Sequence, residues 1–332
     1  MSSKSQKWGA LFPGQGSQAV GMGRFLFDEF PVARQTFEEA SDALKLDFKR
    51  LCFDGPESDL QLTENTQPAL VLVSTATFRV INTTLGLDIT AGAGHSVGEY
   101  AAVVAAGSIS FEDALRSVRV RGQAMQKAVP VGQGGMVAVM GLSDDQVVRL
   151  CQWTEETSGL KPLEPANFNA PGQVVISGSQ KAIEWLRENT ETAKTEIFGS
   201  ESPRMKLIPL SVSAPFHCSL MKPAEQEMAL VLGATKFSNA AWPVVQNVTA
   251  RETREGETLR SNLVRQVSGA VRWTQCMSRL KELGVTRSIE FGAGKVLAGL
   301  AKKIDSTTEA PLNINTLEDI KTLESTLSRT SH

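Results

Sequence analysis

A serine with glycines two residues to either side, Gly94-His95-Ser96-Val97-Gly98, has the Gly-x-Ser-x-Gly pattern of a nucleophilic hydroxyl. The chemistry it offers is acyl transfer: the hydroxyl attacks a carbonyl, and a base takes its proton. The chain has three histidines, His95, His217 and His332. His332 is the last residue, where order is least expected. His95 precedes the serine in a strand-to-turn segment, so its side chain is expected to point away from that of Ser96. That leaves His217, in the proline-containing loop Ser213-Ala214-Pro215-Phe216-His217-Cys218-Ser219. No acid between the two stands in a recognisable strand-end setting. A Ser–His dyad with a neutral orienting group therefore fits better than a triad with a carboxylate. The bland alternative is a pair of glycines that only permit close packing and a histidine that is only hydrogen-bonded in its loop.

A serine of this kind needs a strand that ends in a tight turn and a helix that leaves it. Asp88 to Ala93 supplies the lead-in, and Val97 to Ala106 predicts a helix of small residues that can lie close to a sheet. Trp8 to Phe12 reads as a buried strand ended by Pro13-Gly14. Helices are expected over Met22–Phe30, Pro31–Leu46, Thr66–Ile81 and Phe111–Val129, the last with Ser110 as N-cap. The rhythm then changes. Gly135–Gly141, a short strand before Asn167, Gln173–Ser177 and Met205–Leu210 read as strands. Between them lie helices at Ser143 (a capping box with Gln146) and at Gln180–Asn189. That order, β-α-β-β-α-β, is the ferredoxin-like pattern. Glu191–Pro203 is polar and reads as a surface loop.

After Ser211 the α/β pattern resumes, with helices over Ala224–Leu232, Leu259–Val267 and Trp273–Leu283 and strands at Val244–Asn247 and Arg287–Phe291. The fold class is thus α/β: a large, discontinuous α/β-hydrolase-like domain over residues 1–130 and 207–332, with a ferredoxin-like subdomain inserted over 131–206.

Bulk properties exclude several classes. With 332 residues, 41% hydrophobic and 21% charged, the chain is an ordinary globular mix. A formal net charge of -2 gives no electrostatic reason to expect nucleic acid or an anionic membrane. The four cysteines are scattered without C-x-x-C spacing, which argues against a zinc site or a disulfide framework. The first residues carry no apolar run of signal-peptide length, and Ala101–Ala106 is far too short to span a bilayer. A cytoplasmic enzyme is expected.

Several further segments complete the picture: Leu11–Gln18, Gly94–Glu99, Arg121-Gly122 with Met125-Gln126, Asn167–Gln173, Pro215–Met221 and Gly292–Leu297. In this order they resemble the malonyl-CoA:acyl carrier protein transacylase family, with polyketide synthase acyltransferase domains as relatives. The resemblance spans Trp8 to Ile304. It implies that Ser96 is the acylated nucleophile and His217 the general base. It implies an oxyanion hole of the Gln15 and Val97 main-chain N–H groups, and Arg121 as the grip on the malonyl carboxylate. It also implies that the main-chain carbonyl of Gln266 orients the histidine and that Asn167 lines the same region.

Helical periodicity alone places Arg119 and Arg121 equally far from the apolar face and leaves both as solvated surface residues. The resemblance selects Arg121. Phe216 beside His217 goes with malonyl over methylmalonyl in the polyketide relatives, where a ring would exclude an α-branch; core packing is its alternative reading. Ala293 departs from the family's usual proline at that position, and the Gly-Ala-Gly-Lys run lacks P-loop spacing.

The resemblance implies ping-pong malonyl transfer from malonyl-CoA to the phosphopantetheine thiol of acyl carrier protein, for fatty acid synthesis. No cofactor or metal, no nucleic acid or membrane partner, and a monomer are expected. The rivals are a trans-acting polyketide acyltransferase, a proofreading acyl hydrolase and a non-catalytic carrier-binding subunit.

Overall fold

The computed structural model describes residues 6–199 and 203–329; His332 lies outside them. Among the described residues the strands are β1 (Trp8–Phe12), β2 (Ile89–Gly94), β3 (Gly134–Met140), β4 (Leu163–Ala170), β5 (Gln173–Ser179), β6 (Lys206–Pro209), β7 (Val244–Val245), β8 (Glu252–Thr253), β9 (Arg287–Glu290) and β10 (Leu312–Asn313). They form two sheets.

The larger sheet has the order β10-β9-β1-β2-β7-β8. All its pairings are parallel except β7 with β8. Parallel strands buried on both faces read as continuous apolar or small-residue runs, as in Trp8-Gly9-Ala10-Leu11-Phe12, buried throughout. Helices cover both faces. The longest, Thr63–Leu85, is long and apolar enough to cross a bilayer by composition, yet most of that stretch is buried in this core, where it packs on the helix Phe111–Ala128. Phe12, Phe78 and Phe291 form an aromatic cluster with ring centroids 5.3–6.2 Å apart. Phe12 and Phe291 are fully buried, and burying a ring of this size stabilises the fold by about 1.5–3 kcal/mol.

The smaller sheet is antiparallel, in the order β4-β5-β3-β6. Side chains alternate across a strand, and the alternation assigns its two faces. Val137, Val139, Val174, Ile176 and Phe168 enter a separate core with the helices Asp144–Ser158 and Gln180–Glu188. Met136, Ala138 and Val175 face the larger unit instead. The main chain of β4 also bonds across to that unit: Phe168 N–H donates to Val271 O, and Val271 N–H to Ala166 O.

Two sequence expectations fail here. The segment expected as a surface loop from Glu191 contains a helix, Thr190–Phe198, because Ala193 and Phe198 bury against the small core. Polar residues elsewhere in the segment hide that short apolar edge. The strand expected before Asn167 instead runs through it to Ala170, because pairing with β5 extends the ladder to the Pro171-Gly172 turn. The Ser110 N-cap and the capping box of Ser143 with Gln146 form as expected.

Candidate active site

Ser96 stands just past the carboxyl end of β2, beside the carboxyl end of β1, where ligand crevices form in open parallel sheets. It holds φ at 51°, in the left-handed region. The helix Gly98–Ala105 leaves immediately after it. The flanking glycines are required by close approach. A Cβ on Gly98 would lie 2.2 Å from Phe12 O, and one on Gly94 would lie 2.0 Å from Gly98 C. Only hydrogen fits at either point, so β1, β2 and the elbow helix can meet.

His217, also at positive φ (61°), presents Nε2 2.7 Å from Ser96 Oγ. Its Nδ1 lies 2.9 Å from Gln266 O and 3.1 Å from Gly269 O. Carbonyl oxygens only accept, so Nδ1 carries the hydrogen and the Nε2 lone pair faces the serine hydroxyl. Burial, then the nearby Arg121 charge, pushes the imidazole down to about 3, so it is neutral at pH 7. His95 does not reach the serine; its Nε2 lies 2.8 Å from Asn169 Oδ1, although its ring borders the same cavity.

Arg121 corrects the reading from periodicity. It is 1% exposed, whereas Arg119 pairs with Glu64 at the surface. Arg121 Nη1 donates to Gln67 Oε1 at 2.9 Å, and Nη2 donates to Gln266 Oε1 at 3.0 Å and to Ser96 Oγ at 3.3 Å. Its Nε–H has no hydrogen-bond partner among the described residues, and the guanidinium lies 5.9 Å above the Tyr100 ring. A buried guanidinium with an unspent donor beside a nucleophile is equipped to receive an anion.

The cavity over this cluster has a volume of about 350 Å³. Gln15, Val97, Arg121, Asn167 and Phe216 border it together with Ser96 and His217. Gln266 lies behind the histidine. The main-chain N–H groups of Gln15 and Val97 meet no acceptor among the described residues, so both are free to bind an oxyanion. A cleft of about 450 Å³ at the amino-terminal end of β9 is larger, but no histidine borders it. Among the described residues no group of three or more His, Cys, Asp or Glu could hold a metal ion.

Sequence reasoning missed four polar groups. Asn247 Oδ1 accepts from Ser96 N at 2.8 Å, and its Nδ2 donates to Gly94 O at 2.7 Å, pinning the elbow. Glu99, wholly buried, accepts from Asn247 N and from Gln266 Nε2, each at 2.9 Å. Burial pushes its carboxyl up to about 7 against those donors and the Arg121 charge. Gln67 and Asn169 complete the set. Glu99 had a visible signal, three residues after the serine on a helix of small apolar residues; Asn247 had none.

A sequence model described as the acyl transferase domain matches residues 11–311. The chain belongs to this acyl transferase family. Among its relatives is the malonyl CoA-acyl carrier protein transacylase of Escherichia coli K12, 42% identical over 304 residues, covering 91% of this chain and 94% of that one. The malonyl CoA-acyl carrier protein transacylase structure from Coxiella burnetii is 36% identical, with a TM-score of 0.90, and the match covers 99% of each chain. A malonyl-transacylase solved in complex with a type II polyketide acyl-carrier protein is 40% identical, with a TM-score of 0.89, covering 96% of this chain and 100% of that one. As an acyl transferase, the chain carries a hydroxyl that touches both an imidazole and a guanidinium at the carboxyl ends of its parallel strands.

Proposed function

We propose that this acyl transferase moves a malonyl group from malonyl-CoA to the phosphopantetheine thiol of acyl carrier protein through an O-malonyl ester on Ser96, in fatty acid synthesis. The observation that carries this reading is the contact of Ser96 Oγ with both His217 Nε2, at 2.7 Å, and Arg121 Nη2, at 3.3 Å. A nucleophile and its base sit beside the group suited to a second carboxylate.

In the first half-reaction Ser96 Oγ attacks the thioester carbonyl as His217 Nε2 takes its proton. The tetrahedral oxyanion rests on the N–H groups of Gln15 and Val97, and one such donor is worth about 2.7–4 kcal/mol of barrier. Collapse breaks the C–S bond, and His217 returns the proton to the departing CoA sulfur. In the second half-reaction His217 deprotonates the carrier thiol, which attacks the ester carbonyl. The C–O bond breaks and the proton goes back to Ser96. The main-chain carbonyl of Gln266 orients the imidazole in place of a carboxylate. Arg121 binds the malonyl carboxylate. Pairing there offsets part of the positive charge that, after burial, lowers the imidazole. Phe216 limits branching at the α-carbon, and Asn167 borders the acyl group. Thioester, ester and thioester are close in free energy, so these residues need no metal or cofactor for the exchange.

The larger unit reads as an α/β-hydrolase-like domain over 1–130 and 207–332. The smaller reads as a ferredoxin-like subdomain over 131–206, with its last strand continuing to Pro209. The same reading has the enzyme act as a monomer in the cytoplasm. The buried Arg121 counts against a proofreading hydrolase, and the complete nucleophile–base pair counts against a non-catalytic carrier-binding role.

Incubation with malonyl-, methylmalonyl- and acetyl-CoA, followed by intact-mass measurement with and without carrier, tests the reading. A malonyl adduct that carrier discharges is expected. Absence of any adduct on Ser96 would reject the mechanism.

A further inference from the structure

Glu99 belongs to the elbow helix, one turn past the nucleophile, yet it is wholly buried. A carboxylate in such a place is costly unless its oxygens are met by donors. Oε2 accepts from Asn247 N and Gln266 Nε2, each at 2.9 Å, and Oε1 accepts from Gln246 Nε2 at 3.2 Å. The two residues bonded through Oε2 also hold Ser96. Asn247 Oδ1 accepts from Ser96 N, and Gln266 Nε2 donates to Ser96 O at 3.0 Å.

Gln266 is the node. Its main-chain oxygen accepts from His217 Nδ1, and its side-chain Oε1 accepts from Arg121 Nη2. A carboxamide can sit either way round, with oxygen or nitrogen toward a given neighbour. What selects the orientation is the chemistry on its far side, where Glu99 Oε2 already accepts from the Asn247 main-chain N–H and Ser96 O is a carbonyl oxygen that only accepts. They demand the NH₂, which turns Oε1 to the guanidinium. Flipped, the amide would set N–H donors against Arg121 and oppose its oxygen to a carboxylate.

We infer that Glu99 is a positioning residue for the transfer: its carboxylate fixes the Gln266 amide so that Arg121 is held for the substrate carboxylate, and through Gln266 and Asn247 it holds both main-chain groups of Ser96. This rests on the roles read above for Ser96, His217 and Arg121. Glu99 touches neither the substrate nor the reacting atoms. Its acceptor oxygen at the Oε2 position is what counts, and a glutamine can supply that atom.

The test uses the full chain with Glu99→Ala, Glu99→Gln and, because Glu99→Ala risks misfolding, Gln266→Leu, which keeps the main-chain carbonyl that His217 uses. Thermal melts establish folding. Intact mass then gives the loading rate per folded molecule from malonyl-CoA and acetyl-CoA, and their ratio is the readout. A purely structural role lowers the folded fraction and leaves the ratio alone. Glu99→Ala and Gln266→Leu should each cut the malonyl-to-acetyl ratio fivefold or more, with Glu99→Gln within threefold of the unsubstituted protein. A folded Gln266→Leu or Glu99→Ala protein with an unchanged ratio would overturn the inference, as would a folded Glu99→Gln protein as unselective as Glu99→Ala. Failure of the unsubstituted protein to form a malonyl adduct would instead reject the reading of function.

Discussion

Ser96 and His217 lie 121 residues apart in the chain, touch at 2.7 Å, and both hold left-handed backbone angles, φ 51° and 61°. Neither is a glycine. Such a conformation costs a residue with a Cβ roughly 1–2 kcal/mol. The two groups proposed to exchange a proton are thus both presented on backbone that the surrounding contacts hold in a strained form.

The strain at the serine can be separated from its chemistry. Ser96→Ala and Ser96→Gly should both abolish the malonyl adduct in intact-mass spectra. Ser96→Gly should also be more stable than Ser96→Ala by about 1 kcal/mol, because glycine adopts positive φ freely. Equal stability of the two in denaturant melts would show that the elbow stores no strain.

Nucleophile and base act as a unit in the proposed mechanism. Ser96→Ala, His217→Ala and the double variant should therefore each lose roughly 10⁴-fold or more in transfer rate, with no further loss in the double. Additive losses in a radiolabelled transfer assay would mean that His217 works independently of Ser96.

Arg121→Gln should slow malonyl loading by about 3 kcal/mol, roughly 100-fold, through loss of a charged, buried donor pair. Loading from acetyl-CoA, which has no second carboxylate, should fall much less or rise. Parallel time courses with the two thioesters would measure the difference.

Burial and the Arg121 charge depress His217 to about 3 in the folded protein, against an ordinary value near 6.5. The unfolded chain therefore binds a proton below about pH 6.5 that the folded chain refuses. The stability this group contributes is present above that pH and is lost as pH falls, at up to about 1.4 kcal/mol per pH unit. His217→Gln should show a shallower fall of melting temperature between pH 6.5 and 4 than the unsubstituted protein. Parallel slopes would contradict the neutral, buried imidazole.

Gly98→Ala would force a Cβ to 2.2 Å from Phe12 O and 2.7 Å from Pro13 O, both main-chain atoms at the elbow. A destabilisation of about 1–3 kcal/mol is expected, with loss of loading as β1 and the elbow helix separate. Chemical denaturation with a loading assay on the same sample would check both.

Much of the element plan was legible because local rules governed it. β1 appears as read, Trp8–Phe12, because a short apolar run ended by Pro-Gly admits little else. The helix Thr190–Phe198 was not legible, since its stability comes from the small core and not from its own pattern. Arg121 marks the limit most clearly. Two arginines two residues apart on one helix have the same periodicity, and only the packing of Phe111–Ala128 against Thr63–Leu85 buries one and leaves the other paired at the surface.

By itself the sequence determined the kinds of groups present and their local settings: a serine on a strand-to-helix turn, one histidine placed to serve as its base, and segments resembling acyltransferases. Those follow from composition and spacing, which local sterics and hydrogen bonding translate directly. The tertiary structure decided which groups meet. The contact of Ser96 with His217, the burial of Arg121 and the network through Glu99, Asn247 and Gln266 join segments up to 170 residues apart. Contacts at such separations depend on how the sheets and helices pack around the crevice, and no local pattern along the chain encodes them.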